Sequence, residues 1–85
     1  MESFELLIHL ETLETLRKVR GENRKQISHF LSILPTNPYL PPDTTYEDRK
    51  GRMVSKIRIR SYVLEYIVDD PVREIKIVEL TKVTD

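Results

Sequence analysis

The sequence has no cysteine in its 85 residues, which excludes a disulfide framework, a thiolate zinc site and a cysteine nucleophile. Such a chain suits a reducing compartment, and the cytoplasm is the expected location. Glycine is nearly as scarce. Gly21 and Gly51 are the only two, so no glycine-rich loop is available to cradle a phosphate. Long apolar runs are missing too. Leu6-Leu7-Ile8, the longest near the start, falls far below the roughly 20 residues of a membrane span or the core of a signal peptide. Neither export nor membrane insertion is expected. Being shorter than the ~100–150 residues of an ordinary domain, residues 1–85 are read as a single domain with one core. A chain of this size buries only about 60–65% of its unfolded surface, so a partner protein can supply part of that core.

Net charge is also absent, because 14 basic side chains balance 14 acidic ones. The balance conceals an uneven distribution. Residues 1–48 carry five basic and eight acidic side chains, and residues 61–85 carry three and six. Between them, residues 49–60 hold Arg49, Lys50, Arg52, Lys56, Arg58 and Arg60 with no acidic residue at all. All of the local positive excess therefore falls in one short stretch, a candidate nucleic-acid-binding segment.

Periodicity supplies the elements around that stretch. Phe4, Leu6 and Ile8 alternate as a first strand does. Leu10, Leu13 and Leu16 then mark an amphipathic helix running to about Arg20, with Glu11 and Glu14 near its start and Arg17, Lys18 and Arg20 near its end to complement the dipole. After Gly21, Asn23 predicts the cap of a second helix, with Gln26 in the capping-box position and Ile27, Phe30, Leu31 and Leu34 as its apolar face. Pro35, Pro38, Pro41 and Pro42 predict a long connection from Pro35 to about Arg52. From Val54 the apolar period becomes two. Its phase flips near Arg60-Ser61, as a hairpin turn or bulge would cause. Asp69-Asp70-Pro71 predicts the next turn and Val72 to Leu80 the last strand. The expected order is β-α-α-β-β-β, an α+β fold with a helical hairpin packed on a small antiparallel sheet.

Lys56, Arg58 and Arg60 alternate with Ile57 and Ile59, which puts the cations on one strand face and the isoleucines on the other. Cations spaced by about 6.5–7 Å match successive phosphates of an extended single strand. A plainer role is also available to them, and on sequence alone it has the edge. A half-exposed strand must present polar side chains outward, and basic ones discourage edge-to-edge pairing. Tyr62 and Tyr66 also share a face, either stacking bases or packing as core and rim residues. His9 and His29 have no metal-ligand neighbours, and both are read as surface residues, so no metal site is expected. Ser28 and Ser32 have no base placed near them by sequence, which leaves serine catalysis unsupported.

The run from Lys56 to Asp70 resembles the central hairpin of the RelE/ParE toxin family of bacterial type II toxin–antitoxin modules, the group that includes plasmid stabilisation proteins. That hairpin usually reads basic-apolar-Arg-apolar-Gly-Asp-Tyr-Arg-apolar-apolar-Tyr. Asn37-Pro38-Tyr39-Leu40 resembles the turn these proteins place after their second helix, and Lys50-Gly51 resembles the Lys-Gly leading into their basic strand. Together the motifs and the element order cover nearly the whole chain. The resemblance implies a toxin that cleaves messenger RNA in the ribosomal A site, and is neutralised by a cognate antitoxin protein. As an endoribonuclease it would use Lys56 and Arg58 as catalytic cations, with Arg49, Lys50, Arg52, Arg60 and Tyr62 contacting RNA and with no cofactor. A DNA gyrase inhibitor of the ParE kind, or a family member without toxicity, is implied as the alternative. Three departures bear on this choice. The family's Arg after the hairpin Tyr is Val63 here, its Gly-Asp turn is Arg60-Ser61, and Thr81-Lys82-Val83-Thr84-Asp85 stands where active members have a His-Arg pair and a terminal Tyr.

Overall fold

Alternation from Val54 onward produces three consecutive antiparallel strands in the computed structural model, which describes residues 3–83. The elements in chain order are β1 (Glu5–Ile8), α1 (Leu10–Lys18), α2 (Gly21–Ile33), a single 3₁₀ turn (Leu34–Thr36), β2 (Thr44–Glu47), β3 (Met53–Ile59), β4 (Tyr62–Asp69) and β5 (Glu74–Lys82). One five-stranded sheet has the order β1-β5-β4-β3-β2. The α+β class and the pair of helices agree with the sequence reading, while the sheet differs in two respects. First, β1 lies parallel to β5, with Glu5 opposite Glu74 and Ile8 opposite Ile77, so the sheet is mixed rather than antiparallel. Second, the expected connection contains β2. Thr44, Thr45 and Tyr46 are good strand formers, and they pair with β3 as soon as Pro41 and Pro42 are past.

Helix α1 buries a face rotated from the one its leucines mark, with Leu16 shared by both. Thr12 and Val19 are buried and Leu16 half-buried, at i, i+7 and i+4, whereas Leu10 is 71% exposed. Two residues correspond to about 200° around a helix, so burying Thr12 turns Leu10 to solvent. The helix also stops at Lys18, short of Arg20. Its last carbonyls accept from Arg24 of the next helix, whose Nη1 reaches the oxygens of Leu16 at 3.1 Å and Val19 at 3.4 Å. Asn23 does not cap α2, which begins at Gly21. Instead its Oδ1 accepts from the backbone N–H of Ser61 at 3.1 Å and ties the helix to the β3–β4 turn.

Ile27, Phe30 and Leu34 from the second helix and its 3₁₀ extension meet Leu64, Tyr66, Ile75, Ile77 and Leu80 from the sheet in the main core. Each such fully buried side chain contributes about 1.5–3 kcal/mol. β5 begins at Glu74 rather than Val72, which is exposed in the preceding turn. Among the described residues no helix is long and apolar enough to cross a membrane.

Candidate functional site

The helices cover one face of the sheet and leave the other open. On β3, Ile57 and Ile59 pack against the core, so Lys56 and Arg58 point to the opposite, outer face. Opposite Lys56 stand Thr44 of β2 and Glu65 of β4, and opposite Arg58 stands Val63. A shallow recess of about 180 Å³ lies between the two cations, lined by Asp43, Thr44, Lys56, Ile57, Arg58 and Val63.

Tyr46 closes one side of this site. Its hydroxyl donates to Glu65 Oε1 at 2.5 Å, although Tyr46 belongs to β2 and Glu65 to β4. Strands are ~4.8 Å apart, so the tyrosine must lie across β3 to bridge two spacings. Lys56 Nζ stands 5.8 Å from the ring centroid, a cation–π contact. Val54, paired with Tyr46 across the strands, is 2% exposed on this face, and Ile67 of β4 is 6% exposed there. The hydrogen bond to Glu65, reinforced by desolvation and by the charges of Glu65, Glu79 and Asp48, pushes the Tyr46 hydroxyl up to about 12. It therefore remains protonated, and a donor, throughout the neutral range.

Arg58 is held by its own backbone surroundings. Its amide donates to Asp43 Oδ2 and its Nε to the carbonyl of Arg60, both at 2.6 Å. Because Nε is engaged, the terminal guanidinium nitrogens are the groups left to meet an anion.

No protein-family model matches the sequence, and no curated protein does. Solved structures do. The RelE–RelB complex of Pyrococcus horikoshii superposes with a TM-score of 0.80 at 19% identity over 94% of both chains. The isolated RelE toxin of E. coli gives 0.78 at 21% identity, covering 98% of this chain and 87% of that one. The intact E. coli RelBE toxin–antitoxin complex gives 0.77 at 22% identity, covering 98% and 100%. The fold is that of RelE.

Within this RelE fold the six cations of residues 49–60 do not form one patch. Arg49, Lys50 and Arg52 lie in the β2–β3 turn, and Arg60 lies in the β3–β4 turn at the other end of the strand. Seven strand residues separate the two ends, or about 23 Å at 3.3 Å per residue. Arg52 is engaged within its own turn, bonded through Nε to Asp48 Oδ2 at 2.8 Å. Asp48 Oδ1 also accepts from the amides of Lys50 and Arg52. These bonds, that from Arg52 first, hold the Asp48 carboxyl below its usual range. Arg60 has a left-handed φ of 53° at the hairpin tip, so it leaves the strand before completing the expected row of three. Tyr62 packs against the core, on the face opposite Lys56 and Arg58. Stacking on a strand that crosses those cations is not available to it there. Tyr66 is fully buried, and burial raises its hydroxyl.

Sequence reasoning missed Tyr46, Glu65 and Asp43. Tyr46 was hidden in a supposed loop. Glu65 was legible, since it alternates with Leu64 and Tyr66 and must share the outer face. His9 and His29 are exposed, and the described residues contain no group of three potential metal ligands.

Proposed function

We propose that this chain is the toxin of a type II toxin–antitoxin module, that it cuts messenger RNA on the outer face of its sheet, and that a cognate antitoxin protein neutralises it. The observation carrying this reading is the placement of Lys56 and Arg58 side by side around a recess on the uncovered face of a RelE fold. When a 2′-hydroxyl attacks the adjacent phosphorus, negative charge grows on the phosphoryl oxygens. Two positioned cations stabilise that charge, with each such donor worth roughly 10²–10³ in rate. The likeness to RelE and RelBE structures supports the reading, and supports an antitoxin chain as the partner.

The test is tightly induced expression in bacteria, with and without the adjacent reading frame, following growth and message integrity together. Arrest with cut messages, suppressed by the neighbouring product, is the expected result. A second reading has one observation in its favour. Glu65 and Glu79 stand across the strands from Lys56, and a mixed-charge face suits a protein target such as DNA gyrase better than RNA. Arrest with intact messages and broken DNA would select it, and unimpaired growth at confirmed expression would select a member without toxicity.

A further inference from the structure

We infer that Glu65 is the proton acceptor of the outer-face site, aimed by Tyr46 and paired with Lys56 as the proton donor to the leaving group. This rests on the ribonuclease reading above and assigns the acid–base pair within it.

Lys56 and Glu65 are direct cross-strand partners, and opposite charges at such positions ordinarily pair with each other. Here the carboxylate is bonded to the Tyr46 hydroxyl, and the ammonium sits over the Tyr46 ring. Tyr46 thus stands between the two, restraining the carboxylate by one Oε while leaving it further acceptor capacity. A phosphodiester held at Lys56 and Arg58 would bring its ribose alongside Glu65. The groups facing Glu65 are Tyr46 from β2, Lys56 from β3 and Glu79 from β5. The high Tyr46 hydroxyl keeps that residue out of the proton relay, which makes it a positioning residue.

In the reaction the 2′-hydroxyl proton passes to the Glu65 carboxylate as the O2′–P bond forms. The P–O5′ bond breaks, and the departing oxygen takes a proton from the Lys56 ammonium. The products are a 2′,3′-cyclic phosphate and a 5′-hydroxyl end. Exchange with water then returns Glu65 to carboxylate and Lys56 to ammonium, so no other reactant is needed.

A plain electrostatic role for Glu65 predicts the opposite sign. If the carboxylate only repels RNA or weakens the Lys56 field, Glu65→Gln binds RNA more tightly and cuts it faster. As proton acceptor, Glu65→Gln cuts on the order of 10²-fold or more slowly, while affinity for a 2′-deoxy analogue at the cleavage site is held or improved. The experiment compares single-turnover cleavage of ribosome-bound message, and analogue affinity, for the wild type and for Glu65→Gln, Glu65→Asp, Glu79→Gln and Tyr46→Phe. The expected pattern is a large loss for Glu65→Gln, partial activity for Glu65→Asp and none lost for Glu79→Gln. For Tyr46→Phe, the single-turnover rate falls while analogue affinity is held, because the carboxylate is no longer aimed by the hydroxyl. An active wild type with an equally active or faster folded Glu65→Gln variant overturns the assignment and leaves the ribonuclease reading standing. A wild type that cuts no message overturns both.

Discussion

Replacing Thr12 with Val tests how the helical layer fixes the outer face. Register between β4 and β5 slips by one residue. Tyr66 faces Ile77, but Glu65 faces Glu79, which leaves Val78 as the extra residue of a bulge. Its carbonyl accepts from Thr12 Oγ1 at 3.1 Å, and Thr12 is 5% exposed on α1. Valine preserves the volume and removes the donor. A lost bond that orphans a buried carbonyl costs about 1–3 kcal/mol. A groove of about 270 Å³ beside Thr12 and Val78 lets water take part of the donor's place, which sets the expectation at the low end, about 1–1.5 kcal/mol. A domain of this length has roughly 4–13 kcal/mol in total, so Tm should fall by roughly 4–10 °C. Thr12→Ser keeps the donor and loses one methyl, about 0.8 kcal/mol, while Thr12→Ala loses both. Urea unfolding should therefore rank the variants Ser, Val, Ala in order of increasing damage, with unchanged m-values. A Thr12→Val protein as stable as the wild type, or more stable than Thr12→Ser, would refute the bulge-anchoring role.

Lys56→Ala combined with Arg58→Ala should abolish growth arrest and message cleavage while Tm stays within a few degrees, since neither side chain belongs to the main core; retained toxicity in the folded double variant would remove the strand from consideration. Spectrophotometric titration should show the Tyr46 phenol ionising near 12, and Glu65→Gln should bring that step down toward the ordinary value of about 10. Because the folded state holds this proton more tightly than the unfolded one, the associated stability is complete below about pH 10 and lost as pH rises from 10 to 12. Solvent screening keeps it small, as Tyr46 is 44% exposed. Arg60→Gly should stabilise the protein by about 0.5–1 kcal/mol in urea unfolding. It relieves a left-handed φ of 53° that costs an L-residue ~1–2 kcal/mol, offset by the greater freedom of glycine when unfolded. Tighter cleavage-site binding by wild type than by Arg60→Gly would show that the side chain reaches RNA from the turn.

Much of this fold was legible because its apolar periods are clean. The alternation from Val54 to Val68 identified β3 and β4, and the flip at Arg60-Ser61 is the two-residue hairpin turn. Ile27, Phe30 and Leu34 gave the core-facing side of α2 correctly. A second flip lay unread in β5, where Ile75 and Ile77 give way to Val78 and Leu80, and it marks the bulge. Strand β2 was lost for a different reason. Four prolines dominate the segment before it, and its own four residues are all exposed, so no apolar alternation remained to reveal it. The parallel pairing of β1 with β5 joins residues some 70 positions apart, and no local pattern records such a contact.

The site was harder to read than the fold, because charge adjacent in sequence is not charge adjacent in space. Residues 49–60 carry six cations along the chain, yet a strand and two turns disperse them over about 23 Å. Pairing then sets carboxylates opposite the middle of the run, since each position on β3 takes its neighbours from β2 and β4, and β5 lies one strand beyond. Lys56 thus meets Glu65 and, through the bulge, Glu79. In an unbulged register continuing from Tyr66 opposite Ile77, Val78 would stand opposite Glu65, Glu79 would turn to the core face, and the outer face would carry one negative charge fewer. The bulge anchored by Thr12 therefore shapes the electrostatics around the proposed proton acceptor from the other side of the sheet. A Thr12 substitution that let the register relax would change cleavage as well as stability, whereas one that only removed a hydrogen bond would change stability alone.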